Sequence, residues 1–134
     1  MLSHVCIGTN DLPRATRFYE AVLTPLGLVR RPSKDPEGMP YACWRAPGTK
    51  VPSVFVAPPF DGHAASVGNG SMVAFLAPSP EAVAQAHAAG LAAGGSDEGP
   101  PGERPHYAQG YYGAYLRDPD GNKIHVVHRG DLAG

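Results

Sequence analysis

Hydrophobic and polar positions follow two periods along this chain, and the switches between them mark its elements. Residues 2–8 alternate: Leu2, His4 and Cys6 share one face of an expected strand, Ser3, Val5 and Ile7 the other. At Asn10 and Asp11 the period changes. Leu12, Ala15, Phe18, Tyr19, Val22 and Leu23 recur at helical spacing, with Arg14, Arg17 and Glu20 on the polar side. Asn10 or Asp11 can cap this helix, Pro13 is tolerated in its first turn, and Pro25 with Gly27 ends it. Strands are expected over residues 28–31, 39–46 and 51–57, with a polar loop over 32–40 and a turn at Pro47-Gly48-Thr49. Residues 58–70 have no periodicity and are rich in proline and glycine, which suits a linker.

The pattern then starts again. Residues 71–77 read as a strand, and Ser79-Pro80-Glu81 opens a helix with Ser79 as its cap. Val83, Ala86, His87 and Gly90 mark the buried stripe of that helix, and its many alanines predict close packing on a sheet. Residues 96–110, with three prolines, read as a long polar loop. A strand over 111–117 leads into the turn Asp118-Pro119-Asp120-Gly121, where proline pre-sets φ and glycine supplies φ > 0. The last strand places Lys123, His125 and Val127 on one face and Ile124, Val126 and His128 on the other.

Strand, helix and three strands thus occur before the linker and again after it, the second strand of the repeat being short or absent. The expected fold is α+β: one domain spanning residues 1–134, built of two pseudo-symmetric βαβββ modules over 1–58 and 71–130, joined by a linker over 59–70, with helices on the outer face of a mixed sheet. Composition narrows the class further. A length of 134 residues suits one domain. A net charge of −1 without a basic stripe argues against nucleic acid as a partner. No apolar run reaches the roughly 18 residues of a membrane span. The first residues show no basic stretch followed by an apolar one, so no secretion signal is expected. Cys6 and Cys43 lie in apolar runs, as buried thiols would. Two cysteines build no disulfide framework, which makes a reducing, cytoplasmic setting the expectation.

Several stretches resemble the vicinal oxygen chelate superfamily, which includes glyoxalase I, extradiol dioxygenases, and the fosfomycin- and bleomycin-resistance proteins. They are His4-Val5-Cys6-Ile7, Ala15-Thr16-Arg17-Phe18-Tyr19-Glu20, Gly68-Asn69-Gly70-Ser71-Met72-Val73-Ala74-Phe75, and Tyr112 through His125. The resemblance covers essentially the whole chain. It implies paired modules curling into an open cup with helices outside, frequent homodimers, and a divalent metal (Zn, Fe, Mn or Ni) or an organic ligand held in the cup. The family's four metal positions correspond here to His4, Phe55, Met72 and His125. Similar members carry His where Met72 stands and Glu where His125 stands.

His4 and His125 are therefore the metal candidates, short of the three protein ligands that catalytic zinc takes, with His63 or His106 as a third. No carboxylate stands at the matching positions, so ordinary glyoxalase I activity is not expected. Phe55 and Met72 facing the cup would suit an apolar or aromatic ligand. Arg104, His106 and Tyr111 form a loop cluster able to give a cation and phenol donors to an anionic or aromatic ligand. Two readings stand side by side: a metal-dependent lyase or dioxygenase with an altered site, and a metal-free binding protein that sequesters its ligand. His87 and His128 read as structural, and Trp44 as core.

Overall fold

A computed structural model describes residues 1–32 and 38–132. The elements in chain order are β1 (His4–Gly8), α1 (Leu12–Leu23), β2 (Val29–Arg31), β3 (Ala42–Arg45), β4 (Ser53–Ala57), β5 (Val73–Leu76), α2 (Pro80–Ala92), β6 (Ser96–Glu103), β7 (Tyr111–Arg117) and β8 (Lys123–Arg129). Part of the expected 32–40 loop lies outside the described residues. Two four-stranded mixed sheets result, in the orders β1-β4-β3-β2 and β5-β8-β7-β6. In each, the first strand runs parallel to the last, as β1 beside β4 and β5 beside β8, and the other pairs are antiparallel. No helix among the described residues is long and apolar enough to cross a membrane.

The helices begin where their caps dictate. The Asp11 carboxylate accepts from the Arg14 amide at 3.1 Å, and the Ser79 hydroxyl from the Ala82 amide at 3.1 Å. Each helix buries one stripe: Ala15, Phe18, Tyr19, Val22 and Leu23 on α1, and Ala82, Val83, Ala86, His87 and Gly90 on α2. The stripes meet one core that also takes Trp44, Val54 and Val56 from the first sheet and Ala114, Leu116, Ile124 and Val126 from the second. Trp44 is fully buried and donates to Glu20 of α1 at 2.8 Å. His87 donates its Nε2–H to Asp97 at 2.8 Å, and His128 its Nδ1–H to the Ala77 carbonyl at 3.1 Å. With both helices on the core side, each sheet leaves its other face open.

Two expectations need correction. The stretch expected as a polar loop contains β6, the eight-residue outer strand of the second sheet. Pro100 and Pro101 are accommodated because an edge strand needs donors on one side only, and the register shift between Gly99 and Gly102 leaves both out of the paired ladder, where their missing N–H groups are not needed. The second module therefore has its full set of strands. Cys43 is buried as expected, but Cys6 is exposed on the open face of β1.

The turn before β8 ties the second sheet to the β1–α1 corner. The buried Asp118 carboxylate accepts from the Tyr19 hydroxyl at 2.6 Å, from the side chain of Asn122 at 2.9 Å, and from the amides of Asp120 and Asn122, both at 2.9 Å. Asp120 accepts from the Thr9 hydroxyl, the Asn10 amide and Arg14. Asn122 also donates to the Gly8 carbonyl at 2.9 Å. These bonds set the start of β8 against the end of β1.

Candidate functional site

Strand alternation decides which side chains reach the open faces. On the first sheet, pairing aligns His4 with Ser53, and Cys6 with Phe55 and Cys43. Beside these residues runs a groove of about 460 Å³ lined by Cys6, Met39, Tyr41, Phe55 and Phe60 among others, and among the described residues no charged side chain lines it. Phe55 meets the rings of His4 and Tyr41 edge-on, at 5.5 and 5.4 Å. On the second sheet, pairing aligns Ala74, His125 and Tyr115. A groove of about 580 Å³ lies there, walled by Met72, Glu98, Tyr107, Tyr115, Arg117 and Lys123. A smaller one of about 220 Å³ joins the two, sharing Cys6, Ile7 and Gly8 with the first and Ser71, Met72 and Lys123 with the second. One chain thus carries a trough running from an apolar, aromatic end to a polar, cationic end.

His125 lies on the open face of its sheet yet is 2% exposed. Tyr115 stacks on its ring at 4.0 Å, 11° from parallel, and Tyr111 lies near-parallel at 5.8 Å. Its Nδ1 is 2.8 Å from the Ala114 carbonyl, which can only accept, so the proton sits on Nδ1. That leaves Nε2 as the acceptor for the Tyr111 hydroxyl at 2.7 Å. Burial lowers the pKa of His125, and the nearby Arg104 and Lys123 charges push the same way against the Ala114 bond. The ring is neutral at pH 7, and both nitrogens are taken.

The surrounding phenols are correspondingly hard to ionise. Burial, helped by a hydrogen bond and the charge of Tyr107, pushes Tyr115 up to about 12. Tyr111 is raised too, chiefly by burial, with Arg129 opposing. Three cations surround this stack: Arg104 and Lys123 stand 6.0 and 5.2 Å from the Tyr115 ring centre, and Arg129 stands 5.4 Å from that of Tyr111.

The candidate residues separate as follows. Phe55 and Met72 line the trough. Arg104 and Tyr111 belong to the stack around His125. His106 is exposed and packs at 4.2 Å on Tyr107. His63 is exposed and faces Asp61 at 3.3 Å. His4 is exposed with its Nδ1 3.0 Å from the Ser3 hydroxyl. No hydrogen bond or ring contact joins His4 to His125 among the described residues. No group of three His, Cys, Asp or Glu side chains there could hold a metal ion. A divalent metal at His125 would have to displace the Tyr111 hydroxyl from Nε2, so the donor set does not fit one. Tyr115 and Lys123 are functional candidates that sequence reasoning did not single out. The turn at 118–122 fixes them, because counting back across it puts Tyr115 opposite His125.

The sequence profile of the Glyoxalase/Bleomycin resistance protein/Dioxygenase superfamily matches residues 1–126. The chain belongs to this superfamily. Among solved structures it is similar to a glyoxalase/bleomycin resistance protein from Albidiferax ferrireducens T118, with 42% identity and a TM-score of 0.80, covering 96% of this chain and 98% of that one. A glyoxalase-related enzyme from Fulvimarina pelagi shares 20% identity at a TM-score of 0.70, over 96% and 88% of the two chains. A glyoxalase/bleomycin resistance protein/dioxygenase family enzyme from Burkholderia phytofirmans PsJN shares 20% identity at 0.66, over 94% and 96%. The latter two likenesses concern the fold. No curated protein matches the chain.

Proposed function

We propose that this superfamily member is a metal-free, small-molecule-binding protein that holds an organic ligand in its trough. The observation carrying this reading is the occupancy of His125. The carbonyl of Ala114 fixes its tautomer and Tyr111 takes its remaining lone pair, so the imidazole serves as a packing and hydrogen-bonding platform. A metal-dependent lyase or dioxygenase would need that lone pair as a ligand. The trough instead offers what organic ligands use: apolar and aromatic walls with a few polar groups at one end. The reading includes a homodimer, supported by large apolar side chains left bare on the open faces, and a cytoplasmic setting, supported by two unpaired thiols.

Elemental analysis of untagged protein, purified without chelators from zinc-, iron-, manganese- and nickel-supplemented medium, tests the metal-free claim. The expected result is well under one-tenth of an equivalent of each metal per chain. One equivalent of any of them, abolished by His125→Ala, would establish the metal-dependent reading instead.

A further inference from the structure

Resting on the trough reading above, we infer that the ligand is a flat aromatic anion lying in a fixed direction, its ring system in the first-sheet groove and its anionic group between Lys123 and Arg104. The polarity of the trough is the basis. At one end Met39, Tyr41, Phe55 and Phe60 offer apolar and aromatic surface, with no charged side chain among the described residues lining it. Phe60 is 91% exposed, a large aromatic surface bare beside a groove that a ring system would cover.

The other end has cations without carboxylate partners. Arg117 is balanced by Glu98 at 2.7 Å, and Arg129 by Asp131. Among the described residues Lys123 and Arg104 have no carboxylate partner, and Arg104 donates to the carbonyls of Glu103 and Pro100, at 3.3 and 2.9 Å. Both stand beside the ring of Tyr115, whose hydroxyl is already engaged with Tyr107. Lys123 on the groove wall, with Arg104 beside the same Tyr115 ring and neither neutralised by a carboxylate, suits a carboxylate, sulfonate or phosphate, since charge-assisted hydrogen bonds are about twice as strong as neutral ones. A cationic ligand would meet repulsion there and no carboxylate except the already paired Glu98.

Isothermal titration calorimetry of the full chain at low ionic strength, with 2-naphthoate and its neutral analogue 2-naphthalenemethanol, tests this. Naphthoate is expected to bind about tenfold or more tightly than the alcohol. Lys123→Met, at a half-exposed site, should weaken naphthoate about tenfold and leave the alcohol unchanged. Phe60→Ser, at an exposed site, should weaken both. Equal affinity for the two compounds, or an unchanged naphthoate affinity in Lys123→Met, overturns the anionic end while the trough reading survives. Unchanged binding in Phe60→Ser overturns the orientation. Failure of both compounds to bind overturns the trough reading itself.

Discussion

Asp118 and Asp120 stand two residues apart in one turn and do different work. Asp118 is buried and organises the turn from within, while Asp120 reaches across to the start of α1 and receives Thr9, Asn10 and Arg14. The Tyr19 hydroxyl that donates to Asp118 is itself buried, and its pKa is raised well above the ordinary value, first by burial and then by the Asp118 charge. Asp118→Ala would strand that hydroxyl and the Asn122 amide with no acceptor. A charge-assisted bond is worth roughly 1.5–3 kcal/mol, and leaving a buried donor unsatisfied adds to its loss. The expected cost is about 4 kcal/mol, read as a melting temperature lower by roughly 10 °C or more. A drop under about 2 °C would show that this turn does not hold the modules together. The same turn reads as a hairpin in the sequence, but its four accepted bonds do not, because Tyr19 lies 99 positions away. His125 shows the same limit. Its face is readable from alternation, whereas its burial depends on Tyr115 from the neighbouring strand and on Tyr111 folding over it.

The elements that sequence periodicity identifies best are the ones with one buried and one polar face. Helix α1 has a clean apolar stripe, and every position in it except Leu12 is buried, Leu12 being partly so. Strand β6 is the opposite case. Two prolines and two glycines in eight residues hide it, since local chemistry favours a loop and only its position at the sheet edge makes a strand tolerable. Helix α2 shows how small residues serve packing. A Cβ on Gly90 would lie 3.0 Å from Val22 and 3.3 Å from Phe18 of α1, and 3.1 Å from Leu116 of β7, all core side chains. Gly90→Ala gains about 1 kcal/mol of helix propensity but overpacks this contact, at a cost of about 1–3 kcal/mol. Net destabilisation of about 1 kcal/mol is expected in urea titration. Net stabilisation would mean that the two helices separate easily.

At the scale of the molecule, the two sheets share one core and one trough but no strand pairing. β1 and β5 each end a sheet, with their outer edges unpaired among the described residues. Leu76 on β5 is 62% exposed, and Leu2 and Val51, just beyond the ends of β1 and β4, are 64% and 56% exposed. Bare edges flanked by apolar side chains attract another chain, and a second copy would cover them. Light scattering is expected to give a dimer mass for the wild type and a monomer mass for Leu76→Glu, whereas a monomeric wild type would contradict the proposed homodimer.

The proposed function turns on the state of one imidazole. A ¹⁵N spectrum of its ring nitrogens, recorded at pH 7.5 before and after one equivalent of Zn²⁺ or Ni²⁺, reads that state directly. The account predicts a neutral His125 with its proton on Nδ1 and Nε2 accepting a hydrogen bond, unchanged by either metal. Because its pKa is lowered, the same signals should hold as the pH falls to the ordinary histidine value of about 6.5 and shift only below it. A metal-induced shift or loss of the His125 Nε2 signal at one equivalent would contradict the account.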